Sequence, residues 1–307
     1  LIMLGRGENR IFAIEQEVVS EFPGLDIVTV INNLREPERL DKVMERLRPD
    51  VVYHTAAHKH VHYMERDPEE AVMNNVAGTV NLARAVEKCG TERFVFISTD
   101  KAADPRGVMG ATKRLMEMFL KRIDPESPCR FMTVRFGNVI GSTGSVVPLF
   151  LDQIARGGPV TVSDPEATRF FMTVKEASLL VIQASVSGSG GETYILDMGE
   201  ALNILEMAKD IIILTGHEPE EEIRIEYTGL REGEKLHEVL VGEDESLEPP
   251  AAGEKIMIAE SPSPGGGSFM ADIDRLIEAA RRGEREQVLK LMSGLMPGFG
   301  GGPARES

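Results

Sequence analysis

Cysteine is scarce in this chain: its 307 residues include only Cys89 and Cys129. They show no CxxC spacing and no partnering histidine cluster, which argues against a structural metal and for a reducing, cytoplasmic setting. Cations are the minority charge, 34 Lys and Arg against 50 Asp and Glu, for a formal net charge of -16. Wrapping a polyanion depends on many Lys and Arg contacts to phosphate, so no nucleic acid partner is expected. Any phosphate must instead meet a few local cations. Long apolar runs are missing as well. A bilayer span takes roughly 18 to 20 such residues, and the longest candidate is the short IIIL of Ile211 to Leu214. The chain opens on LIML rather than on Met or a signal-type segment, which reads as a truncated chain.

What is present is the composition of a globular protein, 42% apolar, long enough for one large α/β unit or two coupled domains. Short apolar or β-branched runs occur at 1–4, 27–31, 51–57, 93–99 and 130–136, and stretches of helical period at 10–20, 36–47, 69–88 and 108–122 lie between them. This alternation predicts an α/β fold with a doubly wound parallel sheet covered on both faces. Residues 1–140 and 166–198 are expected to form that domain, with a strand at 193–198. Residues 141–165 and 199–260 should form a smaller mixed domain. In 261–307 we expect a connector at 262–268, a last short helix at 283–292 and a flexible tail. Such a sheet binds ligands outside the carboxyl ends of its strands. Gly5, Arg6, Asn33, His54 to His60, Thr99 to Lys101 and Asn138 all stand at such ends.

Seven motifs follow one another in order: AAHKHV (56–61), NNVAGTVNL (74–82), FISTDKA (96–102), MGATK (109–113), RFGNVIGSTGSVVPLF (135–150), DPEATRFFMT (164–173) and GLREGEKL (229–236). Together they resemble the UDP-N-acetylglucosamine 4,6-dehydratases of the extended short-chain dehydrogenase/reductases, the polysaccharide-biosynthesis CapD-like group. The resemblance runs from residue 1 to about 245. It implies a Rossmann-like fold, here without its first strand and without a GxGxxG loop, so the usual pyrophosphate cradle at a helix N-terminus is missing. In larger members, four membrane helices and an extra domain precede the catalytic part. A membrane tether is therefore expected only through a missing upstream region, which would place the protein at the cytoplasmic face of the membrane.

The resemblance also implies NADP or NAD as a cofactor regenerated in each cycle. Gly5 and Arg6 stand where NAD-preferring relatives carry an acid for the adenosine ribose. Losing the carboxylate and gaining an arginine favours a 2'-phosphate, although Arg6 equally suits a solvated turn. Asn33 replaces an aspartate that touches adenine. Ala56, Ala57, Lys59, Asn75 and Lys113 complete the expected cofactor contacts.

Dehydration of a nucleotide sugar needs a group at the C4 hydroxyl, an acid at C6 and a base at C5. The TDK motif assigns these to Thr99, Asp100 and Lys101, with a lysine pKa lowered by burial or by cations such as Lys113. Met109 stands where a sugar-modifying oxidoreductase carries its tyrosine. It shares a helix face with Lys113, and a thioether moves no proton. We expect Met109 to fill the phenol's space while the C4 proton leaves through Thr99. Lys59, Asn138, Val146, Pro148, Arg169 and Arg231 are implied as contacts of a UDP-sugar substrate. His54, His58, His60 and His62 look like a metal cluster, but strand alternation sends neighbours to opposite sides, and no metal is expected. A homo-oligomer pairing through 69–88 and 108–122 is also implied. Two rivals remain, a 4-epimerase of the same fold and a non-catalytic nucleotide-sugar binding module.

Overall fold

The computed structural model describes residues 1–142, 144–248, 255–262, 267–296 and 298–299. Strand and helix alternate through the first half. The order is β1 (Ile2–Gly5), α1 (Glu8–Glu21), β2 (Val28–Ile31), α2 (Pro37–Leu47), β3 (Val51–His54), α3 (Val61–Arg66) and α4 (Pro68–Ala71). A π-helical segment, Val72–Ala77, leads into α5 (Gly78–Cys89), followed by β4 (Arg93–Ile97), α6 (Val108–Ile123) and β5 (Arg130–Arg135). The second half brings β6 (Asn138–Val139), α7 (Val146–Ala155), β7 (Val160–Val162), β8 (Thr168–Arg169), β9 (Phe171–Met172), α8 (Val174–Ser187) and β10 (Thr193–Leu196). Then come β11 (Leu202–Asn203), α9 (Ile204–Leu214), β12 (Ile225–Tyr227), β13 (Ser246–Glu248), β14 (Ile256–Glu260), α10 (Phe269–Arg281) and α11 (Arg285–Leu295).

The main sheet has the order β13-β14-β10-β5-β4-β3. Strands β3, β4, β5 and β10 are parallel, and β14 closes the edge antiparallel to β10. β1 and β2 form a separate parallel pair. Side chains of neighbouring strand residues leave on opposite faces. Phe94, Phe96 and Phe131 accordingly join the core under α5 and α6, while Val95, Met132 and Val134 join the core under α8. A third, smaller core gathers Phe150, Ile154, Val160, Ile204, Ala208 and Ile225 from α7, β7, α9 and β12.

The chain differs from the sequence reading at three places. Ile256–Glu260, grouped by sequence with the smaller domain, returns to the main sheet as β14. The stretch after the connector is not linker but α10, whose Phe269, Ile273 and Leu276 complete the core against the π segment and α4. An amphipathic helix with a polar outer face, entered from a glycine run, is easily passed over. The third difference lies in α6, the helix expected to pair between protomers: every residue from Val108 to Leu120 except Met118 is buried within the chain's own fold, which leaves only Met118 and the last turn partly accessible. Of the connector, 263–266 lie outside the described residues, as do 300–307 of the tail. No described helix is long and apolar enough to cross a membrane.

Candidate functional site

β4 ends at Ile97, and the chain runs on beside β5: Ser98 N–H donates to the Val134 carbonyl at 2.8 Å and Asp100 N–H to that of Phe136 at 3.0 Å. Thr99 is extended and caps a single 3-10 turn, Asp100–Ala102. This turn packs the three expected catalytic side chains together. The Thr99 hydroxyl donates to Asp100 Oδ1 at 2.8 Å, and Lys101 Nζ donates to the same oxygen at 2.9 Å. Asp100 is fully buried, and its Oδ2 has no partner. Two glycines permit the packing. A β-carbon on Gly137 would lie 3.2 Å from Asp100 Oδ2, and one on Gly110 would lie 2.1 Å from the Lys101 carbonyl oxygen.

Lys101 reaches two further groups across the fold. Its Nζ lies 3.5 Å from Asn138 Oδ1 on β6 and 3.4 Å from Glu238 Oε1, and Glu238 in turn stands 3.9 Å from Arg169 Nε on β8. The pKa expected of Lys101 is reversed here. Burial does press it down, but the carboxylates of Asp100 and Glu238 outweigh burial, and the pKa rises above the ordinary lysine value. The cation opposing them is Arg169, not Lys113. At rest this lysine is an ammonium ion.

Lys113 has its own environment. It is 7% exposed, donates to the Ile97 carbonyl at 2.7 Å and sits 4.4 Å from the Phe96 ring centroid. Burial lowers its pKa to about 8 against the pull of Glu117. One turn earlier, Met109 is 3% exposed and belongs to the apolar core. The start of α6 is held by Glu65, which accepts the Val108 N–H at 2.6 Å.

The remaining cofactor candidates are scattered over several strand ends. Gly5 closes β1, and Arg6 beside it is exposed. Asn33 accepts the Arg35 N–H at 3.2 Å, while Ala56 and Lys59 lie exposed and Ala57 half-buried in the loop after β3. Lys59 has its pKa lowered by partial burial and by Arg10. Asn75 does not present a free amide. Its Nδ2 donates to the His58 carbonyl and Thr112 Oγ1, and its Oδ1 accepts from His58 N–H and Asn74 Nδ2. With both donors and both lone pairs committed, it braces the 56–60 loop against α6 rather than offering a contact to a ligand.

Sequence reasoning missed Asn32. It is 2% exposed at the end of β2, and neither end of its amide has a partner. Buried amides are almost always paired, so Asn32 is a candidate for contact with a polar group of a ligand. The doublet of asparagines closing a β-branched strand was the available signal.

On the substrate side, Asn138 stands beside Lys101, and Arg169 stands beside Glu238. Arg169 Nη1 donates to the carbonyls of Thr168 and Leu236, at 2.8 and 2.9 Å. Arg231 is exposed in the turn before Gly233, and Val146 and Pro148 lie on the first turn of α7. Lys235 donates to the Ala103 carbonyl at 2.6 Å and, with Lys101, Arg106, Gly110 and Glu238, lines a small polar cavity. The histidines disperse. His54 is buried against Thr79 Oγ1 and kept neutral by burial, its pKa lowered to about 3, while His58 bonds Glu70. Among the described residues no group of three or more His, Cys, Asp or Glu side chains could hold a metal ion.

The family model described as polysaccharide biosynthesis protein matches residues 1–261. The capsular polysaccharide biosynthesis protein CapD of Staphylococcus aureus is 48% identical over 83% of this chain and 43% of its own length. This chain therefore spans less than half of that relative. A UDP-N-acetylglucosamine 4,6-dehydratase (inverting) of Campylobacter jejuni is 31% identical over 80% of this chain and 70% of its own. Among solved structures, Pen from Bacillus thuringiensis superposes with a TM-score of 0.76 at 35% identity, covering 85% of this chain and 79% of that one. UDP-glucose 4-epimerases are also among the similar proteins.

Proposed function

The chain belongs to the polysaccharide biosynthesis protein family, and we propose that it performs the chemistry of a nucleotide-sugar 4,6-dehydratase on UDP-N-acetylglucosamine. The observation that carries this reading is the Thr99–Asp100–Lys101 turn, in which one buried carboxylate oxygen accepts from both the hydroxyl and the amine. The unpaired amide of Asn32, with Asn33 and Arg6, suits the adenosine end of NADP or NAD, and Lys113 suits its nicotinamide ribose. No glycine-rich cradle occurs among the described residues. A bound nicotinamide would store the hydride that leaves C4 and returns to C6. Everything else falls to side chains of this chain.

Thr99 takes the C4 hydroxyl proton while passing its own to Asp100 Oδ1 along their 2.8 Å hydrogen bond. Asp100, now an acid, gives that proton to the departing C6 hydroxyl, which leaves as water. The proton lost at C4 thus ends in the product water, and the carboxylate is restored. Lys101 is 23% exposed and enters the step as the free amine after losing a proton to solvent. It takes the proton from C5, and C5 is later reprotonated. A buried methionine at position 109 has no part in this proton traffic, whereas a 4-epimerase has no use for an acid and an amine paired beside the ring.

Incubation with UDP-N-acetylglucosamine and NAD or NADP in deuterated water, followed by NMR of the product, tests the reading. The expected product has deuterium at C5 and a 4-keto-6-deoxy signal. A C4 epimer without deuterium would assign the chain to the epimerases, and binding without turnover would make it a binding module.

A further inference from the structure

Glu238 lies two residues beyond the GLREGEKL motif, and the proton steps at Thr99, Asp100 and Lys101 do not use it. It is 6% exposed, a degree of burial at which a carboxylate is held only by partners of opposite charge or by hydrogen bonds. Its Oε1 has such partners, Lys101 Nζ at 3.4 Å and Arg169 Nε at 3.9 Å. Its Oε2 has none. Lys101 is therefore bracketed by two carboxylates of different reach. Asp100 belongs to the same turn and exchanges protons in the cycle. Glu238 comes from a remote segment and keeps its contact whatever Asp100 carries.

We propose that Glu238 is a positioning residue for the reaction: through its Oε1 contact it aims Lys101 at the sugar ring and sets the protonation that Lys101 carries into the C5 step. This rests on the dehydratase reading for its purpose but not for its physics. When Asp100 takes the C4 proton it loses the charge that held the ammonium, and Glu238 remains as the one carboxylate acting on Lys101. The amine is thus released for base chemistry only after C4 has been oxidised, which orders the two steps. Arg169 from β8 lowers the Lys101 pKa, and Lys235 and Arg106 line the same cavity, Lys235 facing the charges of Glu238, Asp104 and Asp100. Burial alone would make Lys101 a weak holder of its proton; the rise in its pKa traces to Asp100 and Glu238.

The test is competitive labelling of lysine amines with 1-fluoro-2,4-dinitrobenzene across pH, read at the Lys101 peptide by mass spectrometry, on the full chain and on Glu238→Gln. A neighbouring carboxylate that governs an amine raises its titration midpoint, so the Gln variant should label Lys101 with a midpoint about one pH unit lower, and Glu238→Asp should restore part of the difference. An unmoved midpoint in a variant that melts like the parent overturns the inference, because the Glu238 contact would then leave the titration of Lys101 untouched. Turnover supplies the second readout: kcat should fall at least about tenfold, as for loss of a positioned general base, with KM for the sugar nucleotide within about twofold. An unchanged kcat overturns it. If the parent protein shows no dehydration at all, the functional reading fails, and the labelling midpoint alone decides the role of Glu238.

Discussion

At the scale of single residues, the site depends on what is absent as much as on what reacts. Gly110 lies in the first turn of α6, where a β-carbon would stand 2.1 Å from the carbonyl oxygen of Lys101. No carbon approaches an oxygen so closely, so Gly110→Ala must push α6 away from the 3-10 turn and part Lys113 from the Thr99–Lys101 group. Overpacking of this kind costs about 1 to 3 kcal/mol. The expected result is a folded protein with a modestly lower melting temperature and at least about a hundredfold lower kcat, checked by calorimetry and steady-state turnover; a displaced catalytic group commonly costs that much. Thr99, Asp100 and Lys101 were legible from sequence because they are consecutive at a strand end. Glu238 was not legible as the partner of Lys101 and Arg169, because nothing in its local spacing says which distant loops it will meet.

At the scale of elements, the segment carrying Glu238 is tied down by a buried ion network. Arg135 on β5 is fully buried between Glu117 of α6, at 2.5 Å, and Glu245, at 2.6 Å. Arg114 of α6 also pairs with Glu245 and with Asp244, and Arg135 donates to the Leu240 carbonyl. One helix therefore fixes both Lys113 and the return loop from 240 to 245. The other face of the same core is closed by α10, whose Leu276 is fully buried. Leu276→Ala should destabilise the protein by about 2 to 5 kcal/mol, the range for truncating a buried leucine, as read by urea unfolding. Because α10 lies away from the catalytic turn, KM and kcat should hold. The strands at 93–97 and 130–135 followed from their apolar runs. The place of α10 did not, since its apolar stripe says only that it packs, and its partner surface exists only after the π segment and α4 have folded.

For the whole molecule, two buried groups couple stability to pH in the same direction. His54 is held neutral by burial and by Lys113, with its pKa lowered from 6.5 to about 3. Below pH 6.5 the unfolded chain takes up a proton that the folded chain refuses, so stability falls between pH 6.5 and 3. Glu245 acts lower. Burial pushes its pKa up, but the Arg135 and Arg114 pairs win and lower it from 4.5 to about 2, so its contribution is present above pH 4.5 and lost as pH falls toward 2. Melting temperatures from pH 8 to 3 should decline in two stages, the first beginning near pH 6.5. His54→Gln, which cannot titrate, should remove the first stage and leave the second. By itself the sequence determined the alternation of strand and helix, the parallel sheet, the net negative charge and the clustering of Thr99, Asp100 and Lys101, because periodicity and consecutive motifs are local and a sheet presents its strand ends on one side. Only the tertiary structure decided that Lys101 rests as an ammonium ion, that α6 is buried by α3, the π segment and β5 and that Asn75 is a strut. Each of those outcomes depends on which charges and surfaces arrive from far along the chain, and a Coulombic or packing partner is defined by distance in space.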